Sequence, residues 1–151
     1  FHTMEAPEKT TTAEAGAKWL SGPKAPEASA HWCVDSDSII QCVREEHVAW
    51  AAPGANRSGV QIEMAGYAKQ SRIDWYDDYS RAVLANAAVV AANACRRWGI
   101  PVQKVGPTEL RAGVPGLCGH VDATKAFRKS THYDPGPNFP WDEFLAKVKI
   151  S

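Results

Sequence analysis

The longest uninterrupted pattern in the chain is an alanine-rich run from Asp77 to Trp98. Asp77 and Asp78 open it, Arg96 and Arg97 close it, and Gly99 follows. Acidic residues at the start, basic residues at the end and a glycine just beyond match a helix and its dipole. Its interior, AVLANAAVVAANA, carries few charges. A helix of that composition must be covered by protein, and its alanines allow close approach to a neighbouring layer. The rest of the chain therefore has to supply a sheet on which this core helix lies.

Strand-forming segments are present. HWCV and IIQCV, separated by the Asp/Ser cluster DSDS, predict an antiparallel hairpin over residues 31–43. The alternating segment GVQIEM, residues 59–64, predicts a further strand with Glu63 near its C-terminal end. Thr10 to Leu20 reads as a short packing helix ended by Ser21-Gly22-Pro23. Residues 100–119 hold three prolines and four glycines among their loop signals and are expected to be mostly loop, with a short strand ending at His120. The tail from Asp134 is a Pro/Gly turn that runs into a closing helix from about Trp141. The expected fold class is α/β, a mixed central β-sheet with helices packed on it.

With 151 residues the chain matches one domain, here residues 1–151. Phe1 and His2 read as the tail of a buried strand whose beginning is absent, as in a domain excised from a longer chain. Any export signal would then lie outside the fragment. Lys plus Arg (17) balance Asp plus Glu (17), so no charge excess draws in nucleic acid or an anionic membrane. No apolar run approaches the roughly 20 residues of a membrane span. Cys33, Cys42, Cys95 and Cys118 include no C-x-x-C pair, which argues against a thiolate zinc finger or a thioredoxin-like centre. They read as structural thiols or disulfides, with three possible pairings left open.

Among five histidines, His2 and His120 have the most suggestive surroundings, and Asp134 opens the DPGP turn. Two imidazoles and a carboxylate suit catalytic zinc, because three protein ligands leave the fourth tetrahedral position for water. There is no H-E-x-x-H, and spacing alone does not identify a metal site. His31 reads as a supporting or packing histidine and His47 as solvated. Trp32, Trp50, Trp75 and Trp141 read mostly as core.

In order along the chain, FHTMEAP, SAHWCVDSDSIIQCV, VAW, SGVQIEMAGY, GIP, GHVDAT and HYDPGPNFPWDEF resemble the landmarks of the type 2 N-acetylmuramoyl-L-alanine amidases. That family includes bacteriophage endolysins, anhydromuramyl-peptide amidases and peptidoglycan recognition proteins. The likeness runs from His2 to Phe144 and is strongest to the amidase domain of an endolysin. It implies Zn2+ held by His2, His120 and Asp134, with Glu63 handling protons. The implied reaction is hydrolysis of the amide between N-acetylmuramic acid and L-alanine in bacterial peptidoglycan.

Two departures stand out. His132 occupies a position where relatives often carry lysine, and it is expected to assist a developing oxyanion. Trp50-Ala51-Ala52-Pro53-Gly54 stands where relatives have W-H-A-G, and Ala30 stands where phage lysozymes have a tyrosine. The resemblance further implies a monomer, made in the host cytoplasm and acting at the cell wall, with peptidoglycan as partner, no nucleic acid and no membrane insertion. Three alternatives stay open: a non-catalytic peptidoglycan-binding module of this fold, a zinc peptidase cutting within the stem peptide, and, for Glu63, a surface carboxylate on an edge strand.

Overall fold

The computed structural model describes residues 1–151. Four strands, β1 (His2–Thr3), β2 (Trp32–Val34), β3 (Ile39–Gln41) and β4 (Ile62–Met64), form one sheet in the order β1-β4-β2-β3. β4 pairs in parallel with both β1 and β2, and β2 pairs antiparallel with β3 as the expected hairpin. The sheet is therefore mixed. Glu63 lies on an interior strand, which removes the edge-strand reading of that residue.

The sheet register decides which residues share a face. His2 stands opposite Glu63, Glu63 opposite Cys33, and Cys33 opposite Ile40. In-register neighbours project to the same side of a sheet. The next row, Thr3, Met64 and Val34, projects to the other side. There Val34, Ile62 and Met64 enter a core shared with Val83, Leu84, Ala87, Ala88 and Ala91 of the long helix α2 (Asp78–Trp98). Each fully buried Val, Leu or Met contributes about 1.5–3 kcal/mol of apolar transfer energy.

α2 begins and ends as its sequence predicts. The Asp77 side chain accepts a hydrogen bond from the Ser80 amide at 2.7 Å, and Gly99 adopts the left-handed conformation at φ 64°. The closing helix α5 (Trp141–Ile150) packs on α2 and carries the fully buried Phe144 to Phe1, ring centroids 4.9 Å apart. Helix α1 (Thr12–Ser21) covers the face that holds Glu63 and Cys33. A Cβ on Gly16 would meet the Met4 sulfur at 2.9 Å, so α1 lies very close to this layer.

One expectation needs correction. Residues 107–111 form a short helix, α3 (Pro107–Arg111), and His120 does not end a strand but begins helix α4 (His120–Phe127). Their starts are chemically explicit. Pro107 sits at the first helical position after Gly106, and Glu109 accepts from the Gly106 amide at 3.1 Å. At α4 the Asp122 carboxylate accepts from the Gly119 amide at 2.8 Å. Both are the reaching-back half of a capping box, with glycine as the cap residue. Most of residues 100–119 is loop as expected, and Gly106, Pro107 and Gly119 mark the helix starts within and after it.

Asp35, fully buried, joins three elements. One carboxylate oxygen accepts from the amides of Asp37 and Ser38 at 3.1 and 2.9 Å, shaping the hairpin turn. The other accepts from the Ala13 amide at 2.8 Å, in the first turn of α1, where Thr11 offers no side-chain cap. Its carbonyl also receives the Asn86 side chain of α2 at 3.1 Å. Truncation would leave buried amides unpaired, at about 1–3 kcal/mol for a lost group. Asp35→Ala is expected to lower the unfolding free energy by on the order of 3 kcal/mol, read by urea denaturation, whereas the exposed Asp37→Ala should change it little.

Candidate metal centre and cleft

Three chain segments meet beside the free edge of β1. The His120 amide donates to the Phe1 carbonyl at 3.1 Å, which docks the start of α4 on β1. The Val121 amide donates to the Asp134 carbonyl at 3.0 Å, which docks the DPGP turn on α4. A Cβ on Gly119 would meet Pro135 at 2.6 Å, so the absence of a side chain lets turn and helix touch. Gly136 has φ 92°, and a Cβ there would collide with the Ala68 carbonyl. Glycine is required at both positions by contact, and at Gly136 by backbone conformation as well.

These contacts bring His2, His120 and Asp134 together, all buried. His2 Nδ1 lies 3.1 Å from His120 Nδ1 and 3.2 Å from Asp134 Oδ2. His120 Nδ1 lies 3.5 Å from Asp134 Oδ1. The donor atoms all fall within 4.8 Å of one another.

The proton arrangement can be worked out from the neighbours. His2 Nε2 lies 2.9 Å from Gln61 Oε1, while Gln61 Nε2 faces the Gly59 carbonyl at 3.4 Å. Gln61 thus offers His2 an acceptor, so His2 Nε2 carries the proton and neutral His2 presents a bare Nδ1 to the cluster. Burial pushes the His2 pKa down to about 4, which keeps the ring neutral near pH 7. Burial opposes the charge on Asp134, yet the adjoining His120 and His2 rings hold its carboxyl well below the usual carboxylate range. A bare His2 nitrogen and an anionic carboxylate then face the second imidazole, His120, with at most one proton among the three converging atoms. This donor set fits a divalent cation of zinc type, with one tetrahedral position left over.

Gln61 is itself held. Its amide donates to His31 Nδ1 at 2.8 Å, and the opposite ring nitrogen, Nε2, donates to the His47 carbonyl at 3.0 Å. His31 is 1% exposed and never reaches the cleft. The chain His47 carbonyl, His31, Gln61, His2 fixes the ring orientation of one cluster member from three layers away. This bears out the reading of His31 as a supporting histidine; Gln61 did not stand out in the sequence, although the period-two alternation that exposes Glu63 places Gln61 on the same side of β4.

Glu63 approaches the cluster from the sheet, with Oε1 4.0 Å from His2 Nδ1 and its side chain 20% exposed. Burial, followed by the negative charge of Asp134, pushes its pKa up to about 8. A cation held by the neighbouring residues opposes that shift. The protonation of Glu63 is thus tied to whether a cation sits among its neighbours. His132 stands at the rim, 65% exposed, its ring stacked on His120 at 4.5 Å and Nδ1 3.4 Å from Asp134 Oδ1. The cluster opens into a groove of about 690 Å³ lined by Glu5, Lys9, Trp19, Ser29, Glu63 and His132 among others. Of the tryptophans read as core, Trp75 is fully buried, and Trp32 and Trp141 pack partly buried against the core. Trp50 instead is 61% exposed.

The family model described as N-acetylmuramoyl-L-alanine amidase matches residues 1–137. N-acetylmuramoyl-L-alanine amidase A of Achromobacter lyticus is 27% identical over 153 residues, covering 95% of this chain and 78% of that protein. Among solved structures, Staphylococcus aureus hydrolase AmiA in complex with its ligand superposes with a TM-score of 0.71 at 19% identity, over 99% of this chain and 71% of that one. The catalytic domain of XlyA superposes with a TM-score of 0.64 at 19% identity, over 97% and 82%. At that identity the structural likeness establishes the fold alone.

The Gln61 support carries a specific expectation. Gln61→Leu removes the acceptor that orients His2 and fixes its tautomer, so affinity for a divalent metal should fall about 10–100-fold. Competition of zinc between the protein and a chromophoric chelator measures it, with a circular dichroism spectrum showing that the fold is retained.

Proposed function

The chain belongs to the N-acetylmuramoyl-L-alanine amidase family, and from that premise we propose that it hydrolyses the amide between N-acetylmuramic acid and L-alanine of bacterial peptidoglycan at a zinc centre held by His2, His120 and Asp134. The observation that carries this reading is the convergence of those three donor groups, short of protons, beside a carboxyl at the floor of an open groove. A zinc ion bound there supplies Lewis acidity toward the scissile carbonyl and a water acidic enough to react near neutral pH.

The chain's own residues do the rest. Asp134 and the Gln61-oriented His2 keep the donor atoms in place before substrate arrives, so no reorganisation is needed during the reaction. Glu63 takes the proton of the attacking water and delivers it to the leaving amine. Its carboxyl, facing the cluster 4.0 Å from His2 Nδ1, is placed to accept that proton and to release it again. His132, exposed at the rim beside Asp134, donates to the oxygen that becomes negative as the carbonyl is attacked.

Residues 1–151 act in this reading as one catalytic domain and as a monomer, working at the cell wall with peptidoglycan as partner. No helix is long and apolar enough to cross a membrane. A binding module of the same fold would have no use for a proton-handling carboxyl beside a complete ligand set, so the catalytic reading is favoured over it.

Glu63→Gln keeps the size of the side chain but cannot shuttle a proton. Its rate on peptidoglycan should fall by on the order of 10²-fold or more, with zinc content and melting temperature close to the parent's. Retention of the parent rate would remove Glu63 from the reaction. The ends released from digested wall separate the proposed cleavage from a cut within the stem peptide: new N-terminal L-alanine is expected. For His132→Ala, kcat should drop about 10²-fold while zinc is retained. A change confined to KM would place His132 in substrate binding alone.

A further inference from the structure

The hairpin that carries Cys33 also carries Cys42, and the two sulfur atoms lie 3.6 Å apart. Cys33 is fully buried on β2, under α1 and in the same row as Glu63. Cys42 follows β3 and is half-buried, so only one of the two sulfurs meets solvent. In register Cys33 faces Ile40, which places Cys42 diagonally across from it on the same side. The backbone at Cys42 is a bulge: the amides of Cys42 and Val43 both donate to the His31 carbonyl, at 2.8 and 3.4 Å. A bulged strand end can shift to bring two side chains closer more easily than a regular ladder can.

We propose that Cys33 and Cys42 form an oxidisable dithiol that closes to one intramolecular disulfide by exchange with a small-molecule disulfide, tying β2 to the end of β3. Nothing in the amidase reaction requires this pair, so the proposal stands apart from the function assigned above.

The chemistry is that of a solvent-facing attacker and a buried resolver. The Cys42 thiolate attacks one sulfur of glutathione disulfide, forming a mixed disulfide at Cys42 and releasing one glutathione thiolate. The Cys33 sulfur then attacks the Cys42 sulfur as its proton passes to the departing glutathione sulfur, releasing the second glutathione as a thiol. Two protein thiols are oxidised by two electrons and one glutathione disulfide is reduced to two thiols. The environments suit these roles. The contact with the Cys33 sulfur draws the Cys42 pKa down against the effect of burial, which favours Cys42 as the attacking thiol. Burial raises both Cys95 and Cys118, and neither has a sulfur partner. The reaction is therefore selective among the four thiols.

The test is incubation of the folded protein with glutathione disulfide, followed by thiol counting and peptide mapping by mass spectrometry. The parent should lose two free thiols, fall in mass by two hydrogens, retain no glutathione and yield a cross-linked peptide pair containing Cys33 and Cys42. Cys33→Ser should instead hold one glutathione on Cys42, because the resolving sulfur is gone. A parent protein that keeps glutathione on Cys42, keeps all four thiols, or cross-links through Cys95 or Cys118 would overturn the proposal.

Discussion

Bringing an anionic carboxylate and two imidazoles together out of water is unfavourable unless something positive sits among them. His2, His120 and Asp134 do meet in this way, and much of the surrounding structure serves to hold them there. Backbone hydrogen bonds link Phe1 to His120 and Val121 to Asp134, so the three donors are set by main chain as well as by rotamers. Gly119 and Gly136 permit the contacts that make those links possible. A cation at the centre would turn an unfavourable assembly into a stable one, and would tie the local energetics of the fold to the proposed chemistry.

The sheet register translates that arrangement into a reaction site. Because β4 runs parallel to both of its neighbours, one row contains His2, Glu63 and Cys33, while the row beside it enters the core under α2. A one-residue slip of β4 would turn Glu63 into the core and Met64 into the groove. The apolar contacts of Ile62 and Met64 with α2 therefore fix the position of the Glu63 carboxyl as firmly as any polar contact does. Asp35 plays the corresponding part on the other face, coupling the hairpin turn to α1, whose residues form a wall of the groove.

The elements with a strong period were legible in the sequence. α2, with its aspartate cap and glycine stop, the DSDS hairpin and the alternating strand around Glu63 all appear where the pattern puts them. What stayed hidden depended on distant partners. Gly106-Pro107 and Gly119-His120 look like loop until the carboxylates of Glu109 and Asp122 are seen reaching back to the glycine amides. The convergence of His2, His120 and Asp134 has no local signal, since β1, α4 and the turn are brought together only by tertiary contacts. It was accessible through family resemblance alone. His31 was legible as a supporting or packing histidine, but its partner Gln61 was not: a supporting hydrogen bond has no spacing rule, and only the folded chain shows that one orients the other.

The central claim is that amidase activity depends on one metal ion held by these three residues. It is tested most directly by stripping the protein with a chelator and measuring zinc content and peptidoglycan hydrolysis together as zinc is restored. Activity should vanish on stripping and return in proportion to zinc, reaching its limit at one ion per chain, and His120→Ala should recover neither. Full hydrolysis by the metal-free protein, or restored activity in His120→Ala, would contradict the account.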